Sequence, residues 1–525
     1  VKLLDFQRPG VAFLVRNKRA ILADSPGLGK TAQLIRTLQV LAEMGQNPFP
    51  ALVVCPNSLK SSTWSFELAK WAPELTVQVV DGSALKRRKQ LASDASVFIV
   101  NWEAVRLHSR LAGYGTIALS DKDREPKELN EMGLRTVICD EAHRLKEPRS
   151  AQTRATWAVL HGAEFRYLAT GTPIDKDIVQ LWALLHGIEP EWTPSKIKYT
   201  ERYADVTPNF FGGLDVHGIK SENKAEFFQI VDPLMRRIPK QAALPQLPPK
   251  LPDQIRHTPM LPKQKKAYEQ MRLHMIANID GLLVAPNPLA QVMRLNQLAS
   301  SCAELEPVTR REWRRRPVYT GNRLVDFDGR LIREQKRDEN GDFVYERYLY
   351  EYPDFDVKLV APSPKVDDLA DLLEELGDEP LVVGAESRQL IELAAERLVK
   401  LDIPHGLVTG AQSGYERGQA VERFQNGKLR VILLTLGAGA EGLTLTRASR
   451  LLSMQDSYSS IRNQQFVDRI YRIGSERHDS IQIIRQITPG TVEETKQDIL
   501  QAKAIHAEEL VRDRTTLLRL LGEKP

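Results

Sequence analysis

The sequence predicts an α/β protein of two parallel-sheet lobes, with helical protrusions and a small inserted β meander. Three observations lead there. Up to about residue 188, short apolar runs alternate with stretches of helical periodicity, the rhythm of parallel strands with helices crossing over them. After Pro364 the same rhythm returns. Between the two stands "LPQLPPKLP" (Leu244–Pro252), whose four prolines oppose helix and favour an extended connector.

In the first lobe, residues 1–240, Ile21–Ala23 reads as a buried strand, and Leu34, Ile35, Leu38 and Leu41 recur at helical spacing, so a helix starts near Thr31. Further strands are expected at Ala51–Cys55, Val77–Val80, Val97–Val100, Thr136–Cys139 and Phe165–Leu168. From about 189 to 237 the strand rhythm fades, which suggests a helical protrusion. Residues 241–253 form the proline-rich linker. A second protrusion, 254–363, begins helical over Pro262–Ala303; the pairs Asp328-Gly329 and Asn340-Gly341 then mark turns of an antiparallel meander at about 318–352. The second lobe, 364–490, carries expected helices at Val366–Leu376 and Ser387–Lys400 and strands at Leu381–Gly384, Val431–Thr435 and Leu451–Met454. A charged helix, 491–525, follows.

Composition narrows the class. With 525 residues, 42% hydrophobic and 27% charged, the chain can bury about two to four separate cores. No apolar run approaches a membrane span and no secretory leader is evident, so an intracellular protein without a membrane partner is expected. Three widely separated cysteines argue against a zinc site or a disulfide framework. The net charge of +5 is mild, but "LKRRKQ" (85–90) and "RREWRRR" (310–316) concentrate it. Each run suits either a phosphate contact or a solvated helix face.

Chemistry is concentrated in three places. "DSPGLGKT" (Asp24–Thr31) joins the first strand to its helix. Gly27 and Gly29 allow backbone N–H groups to approach phosphate oxygens, Lys30 supplies a point charge and Thr31 a hydroxyl for Mg²⁺. The strict phosphate-loop pattern, however, asks for glycine where Asp24 stands. At the end of a later strand, "DEAH" offers Asp140 to hold Mg²⁺ and Glu141 to orient and deprotonate a water. In the second lobe, Arg469 and Arg472 are three apart and share a helix face, from which they reach across a cleft to offset transition-state charge.

Taken in order, these motifs resemble the Snf-two (sucrose-nonfermenting) family of DNA-dependent ATPases in helicase superfamily two. That family's loop opens D-E-x-G-L-G-K-T, so Asp24 is expected there, and "DFQRPGVAFL" (5–14) resembles its adenine-recognition motif, with Gln7 as reader. "VVCPNSL" (53–59), "VNWEAV" (100–105), "DEAHRLK" (140–146) and "LATGTPI" (168–174) resemble the further first-lobe motifs. "PLMRRIPKQAALPQLPPK" (233–250) resembles the arginine pair before the linker. "LLTLGAGAEGLTLT" (433–446) and "QFVDRIYRIG" (465–474) resemble motifs V and VI. Ser25, Asp175 and Ser475 depart from the family's pattern, Gly437 and Thr444 depart from the remodeller form, and "GLTLT" looks closer to the annealing-helicase branch.

The resemblance implies two RecA-like lobes and an ATP-dependent translocase or remodeller acting on double-stranded DNA; a strand-separating or strand-annealing helicase on DNA or RNA is the alternative. It implies ATP held by Gln7, Asp24, Gly27, Leu28, Gly29, Lys30, Thr31 and Ala32, and Mg²⁺ held by Thr31 and Asp140. Catalysis then falls to Lys30, Asp140, Glu141, Arg469 and Arg472. DNA phosphates, gripped without sequence preference, would meet Pro56, Asn57, Ser58, Asn101, Gly171, Thr172 and Thr435. A monomeric, DNA-associated motor, with a DNA-bound protein as a further substrate, completes the expectation.

Overall fold

The computed structural model describes residues 2–174, 178–191, 193, 195–208, 214–280, 288–325, 331–336, 344–439, 443–494 and 496–497. Two compact units divide the chain: 1–258 with 370–525, and 259–369.

The first unit holds both lobes. In the first lobe, seven strands form a sheet: β1 (Arg19–Leu22), β2 (Ala51–Cys55), β3 (Val77–Val79), β4 (Val97–Asn101), β5 (Thr136–Asp140), β6 (Phe165–Ala169) and, further along the chain, Met235–Arg236. Every pairing is parallel, in the order β3-β4-β2-β5-β6-β1 with Met235–Arg236 outermost. Strands buried on both faces explain why the sequence shows continuous Val, Ile and Leu runs instead of alternation. The order also puts the carboxyl ends of β5, β6 and β1 side by side. The acid pair, the Thr170–Thr172 segment and the phosphate loop are therefore neighbours, where open α/β sheets bind their ligands.

The protrusion expected to be helical is mixed. Helices Lys196–Tyr203 and Lys224–Val231 flank an antiparallel pair, β7 (Ala204–Pro208) and β8 (Leu214–Ile219). Met235–Arg236, counted as β9, belongs to the main sheet, because two residues alongside β1 are too short to register as a strand in the sequence.

The second lobe is a six-stranded parallel sheet of β10 (Gln254–His257), β15 (Leu381–Ala385), β16 (His405–Val408), β17 (Val431–Thr435), β18 (Arg450–Gln455) and β19 (Gln482–Ile487), ordered β10-β19-β18-β15-β17-β16. The proline-rich connector is extended and docked. Leu251 N donates to Ile481 O, Ile481 N donates to Pro249 O, and Leu244 and Leu247 are buried in this lobe's apolar cluster.

In the second unit, helices Pro262–Asp280 and Pro288–Ser300 precede a ribbon of β11 (Cys302–Pro317) and β14 (Tyr345–Val360), antiparallel over sixteen register pairs. β12 (Tyr319–Val325) and β13 (Leu331–Gln335) form a shorter pair. The β structure thus starts well before the expected meander, and the Arg310–Arg316 run lies on a strand. The run 85–90 is on helix Ala84–Leu91. The Asp-Gly and Asn-Gly turns, Asp175 and residues 498–525 of the expected last helix lie outside the described residues.

Candidate active site

The phosphate loop is built from below. Gly27 and Gly29 adopt φ of +83° and +69°, the left-handed region that glycine enters without penalty. Asp24 is fully buried. Its Oδ2 accepts from Arg236 Nη1 at 2.5 Å and Gln33 Nε2 at 3.2 Å, and its Oδ1 from Ile238 N at 3.1 Å. This answers why an aspartate stands where the strict pattern wants glycine: its carboxylate bolts the loop to the strand beside β1. It faces the loop's foundation, so its side chain positions the loop. The Leu28 side chain is buried in the apolar cluster with Leu244 and Ile470, and that of Ala32 in the helix behind the loop, so what these two residues offer a phosphate is their backbone N–H. Gln7 donates from Nε2 to Leu28 O at 3.1 Å, and a Cβ on Gly29 would lie 2.5 Å from that nitrogen, so the amide is packed against the loop. Lys30 Nζ donates to Asp24 O at 2.8 Å.

The acid pair is held just as firmly. A π-helical turn at Lys60–Ser65 puts Trp64 beneath it, and the indole donates to Asp140 Oδ2 at 2.9 Å. Trp102 donates to Asp140 O at 3.2 Å. Glu141 takes a left-handed backbone, φ +53°, an uncommon state for a residue with a Cβ that buries strain at the site. Its carboxylate sits 3.2 Å from His143 Nδ1, which is also 3.3 Å from Thr170 Oγ1, so the acid is linked to the segment after β6.

Burial and the neighbouring Glu141 push the Asp140 carboxyl up, whereas burial of Glu141 is outweighed by His143, Lys30 and Arg469, which hold its carboxyl down. Two carboxylates crowded in this way suit a divalent cation. Asp140, with the Thr31 hydroxyl lining the same cavity, has the hard oxygen donors that Mg²⁺ prefers.

Both lobes meet around this point. A cavity of about 180 Å³ is lined from the first lobe by Gly27, Lys30, Thr31, Asp140 and Glu141. The second lobe contributes Gln465, Asp468, Arg469 and Arg472. Arg472 and Arg469 each donate to Leu443 O, at 3.0 and 3.4 Å, and Gln465 Nε2 donates to Glu141 Oε1 at 3.3 Å. Burial lowers the pKa of both arginines, that of Arg469 to about 10. Lys240, at the linker's start, is buried and donates to Asp468 Oδ1 and to Tyr471 O. Gln465, Asp468 and Lys240 were assigned no role from the sequence, although each stands within a quoted motif.

The DNA-contact set is divided. Cys55 and Asn101 are register partners, so Pro56–Ser58 and Asn101 lie together at the carboxyl ends of β2 and β4, and Asn101 Nδ2 donates to Glu103 at 2.6 Å. Thr435 ends β17 in the other lobe. Gly171 and Thr172 line the nucleotide cavity instead, and a Cβ on Gly171 would lie 2.5 Å from Pro26 of the phosphate loop. β6 lies directly beside β1, so the segment after it abuts the loop.

Comparison with known proteins agrees with this arrangement. Residues 6–304 match the SNF2-related domain, and 364–474 match the helicase conserved C-terminal domain. "Protein CHROMATIN REMODELING 19" of Arabidopsis thaliana is 26% identical, aligned over 96% of this chain and 68% of its own length. The "SWI/SNF-related matrix-associated actin-dependent regulator of chromatin subfamily A containing DEAD/H box 1" of Homo sapiens is 26% identical over 98% of this chain. The "DNA annealing helicase and endonuclease ZRANB3" of Mus musculus is 25% identical over 96%. The chain spans half or less of the length of these last two, 50% and 40%. With a family match over more than half of its length and the motifs in order on two parallel-sheet lobes, the chain belongs to the SNF2-related family of DNA-dependent ATPases in helicase superfamily two.

Proposed function

We propose that this chain moves along double-stranded DNA by hydrolysing ATP in the cavity between its lobes. One observation carries the reading: the phosphate loop and acid pair of one lobe line the same cavity as Arg469 and Arg472 of the other. Lys30 and the loop N–H groups bind the phosphates. Glu141, held ionised and pinned by His143, takes a proton from the attacking water, and the two arginines offset charge on the transferring phosphoryl group. Asp140 and Thr31 would hold Mg²⁺, which neutralises phosphate charge when bound.

Because catalysis needs groups from both lobes, turnover requires their alignment, and each cycle of closing and opening displaces one lobe against the other. Pro56–Ser58 and Asn101 at the carboxyl ends of β2 and β4, and Thr435 in the other lobe, are the proposed phosphate grips. The coarse location is on DNA; among the described residues no helix is long and apolar enough to cross a membrane. A DNA-bound protein is the proposed load.

Strand annealing is the second reading, favoured by "GLTLT" and by the relative whose name carries that activity. ATP hydrolysis measured with duplex, single-stranded and forked DNA and with RNA tests both. Duplex-stimulated turnover together with displacement of a triplex-forming strand supports translocation. Stimulation by forks alone favours annealing, and indifference to any nucleic acid sinks the motor.

A further inference from the structure

Residues 305–363 fall between the two matched family segments, so the shared motor leaves the ribbon of the second unit without a task. In its register Arg311 stands opposite Glu351, Trp313 opposite Leu349, Arg315 opposite Arg347 and Pro317 opposite Tyr345. Opposed residues share a face, and every second residue along a strand returns to it. That face is open: Trp313 is 63% exposed, Tyr345 52% and Leu349 42%. The Arg347 guanidinium lies over the Trp313 ring, 5.6 Å from its centre, and Arg311 pairs with Glu351 at 2.6 Å.

On the opposite face the chemistry is already used. Arg316 covers the Tyr348 ring at 5.2 Å and pairs with Glu346 at 2.5 Å.

Two features of the open face call for a ligand. Proteins normally blunt an exposed apolar ribbon, and this one presents a tryptophan, a tyrosine and a leucine together. Two arginine positions, 315 and 347, are opposed in the register, which places cationic residues between the aromatic ones. The aromatic positions lie four residues apart along the ribbon, about 13 Å, with the arginine positions between them. Ring, cation, ring follows the order of base, phosphate and base along an extended strand.

We propose that this face binds an unpaired nucleic-acid strand, with bases stacking on Trp313 and Tyr345 and the intervening phosphate drawn to Arg347. A duplex hides the faces of its bases, so Trp313 and Tyr345 would gain little from one. An acidic peptide would satisfy the arginine positions and leave the rings idle. This surface is separate from the nucleotide cavity and does not depend on the motor reading.

The test uses the full chain without nucleotide, and a labelled duplex with and without a single-stranded tail. Replacing both Trp313→Ala and Tyr345→Ala is expected to weaken binding of the tailed duplex about tenfold, while blunt-duplex affinity and duplex-stimulated ATP hydrolysis hold. Trp313→Phe, with Tyr345 kept, retains a ring and should preserve most of the affinity. Equal loss on both duplexes, or no loss on the tailed one, overturns the proposal, as does a Phe variant no better than Ala. Ring-dependent binding of the tail with no duplex-stimulated hydrolysis would instead keep the ribbon and remove the motor.

Discussion

Both lobes begin with the same unit, a buried strand turning into a helix, and they end that turn in opposite ways. In the first lobe seven residues separate Leu22 from Lys30, and the helix starts behind Gly29, which has no side chain to cap it. In the second lobe only Glu386 and Ser387 separate Ala385 from Arg388, and the Ser387 hydroxyl accepts from Leu390 N at 3.4 Å. A helix leaves its first N–H groups without intrahelical partners. One lobe satisfies such a group with its own serine; the other leaves them facing a cavity, where phosphate oxygens can take them. Nucleotide binding is thereby confined to one lobe of a near-symmetric pair, and the second lobe is left to contribute cations from the turn after helix Ser460–Val467, not from the helix face that the spacing of Arg469 and Arg472 suggested.

The sharpest way to break this comparison is Lys30→Ala. Turnover with saturating duplex DNA should fall to background, because Lys30 supplies the loop's own charge for the phosphates. Retained hydrolysis would mean that the loop has been misread. Arg472→Ala should lower kcat by about a thousandfold with little change in ATP affinity, since a charge that acts on the transition state leaves ground-state binding alone. A parallel loss of affinity, measured with a fluorescent ATP analogue, would assign it to binding instead.

Sequence periodicity was enough to find β1, β2, β4, β5, β6 and β17, because strands buried on both faces must be apolar throughout. It could not find β16, where His405 and Gly406 interrupt the apolar run, or β9, with only two residues. The same limit governs the site. Lys30, Asp140, Glu141, Arg469 and Arg472 stand in local patterns dictated by their chemistry, and they line one cavity. Trp64, Arg236, His143 and Lys240 act through contacts with residues distant in sequence or through an unusual turn, so no spacing announces them. Asp24 shows the difference within one residue: its position and the arginine pair holding Arg236 were both legible, but their contact with each other was not.

Lys240 sharpens the account of alignment. The Lys240–Asp468 pair is buried and joins the linker's start to the turn after helix Ser460–Val467, the turn that carries both arginines. Lys240→Met leaves Asp468 buried without its partner, a change that destabilises by about 3 kcal/mol. If the pair positions Arg469 and Arg472, kcat should fall about tenfold while the KM for ATP stays level, and adding Asp468→Asn should cause less loss than the two single changes combined predict. Equal loss in kcat and in thermal stability, with no coupling between the changes, would reduce the pair to a structural tie.

The smallest effect bears on the opening contrast most directly. Ser387→Ala removes the second lobe's cap and should destabilise the protein by about 1 kcal/mol, read as a lower midpoint of thermal unfolding. ATP affinity and kcat should not move, since that helix end faces no phosphate. Gly29→Ala is the counterpart. Its Cβ would lie 2.5 Å from Gln7 Nε2 at a backbone φ of +69°, so it forces the Gln7 amide aside and strains the turn. Here ATP binding should weaken much more than the unfolding midpoint falls. If instead both variants lost stability and affinity in the same proportion, the two helix ends would be equivalent, and phosphate binding could no longer be assigned to the uncapped one.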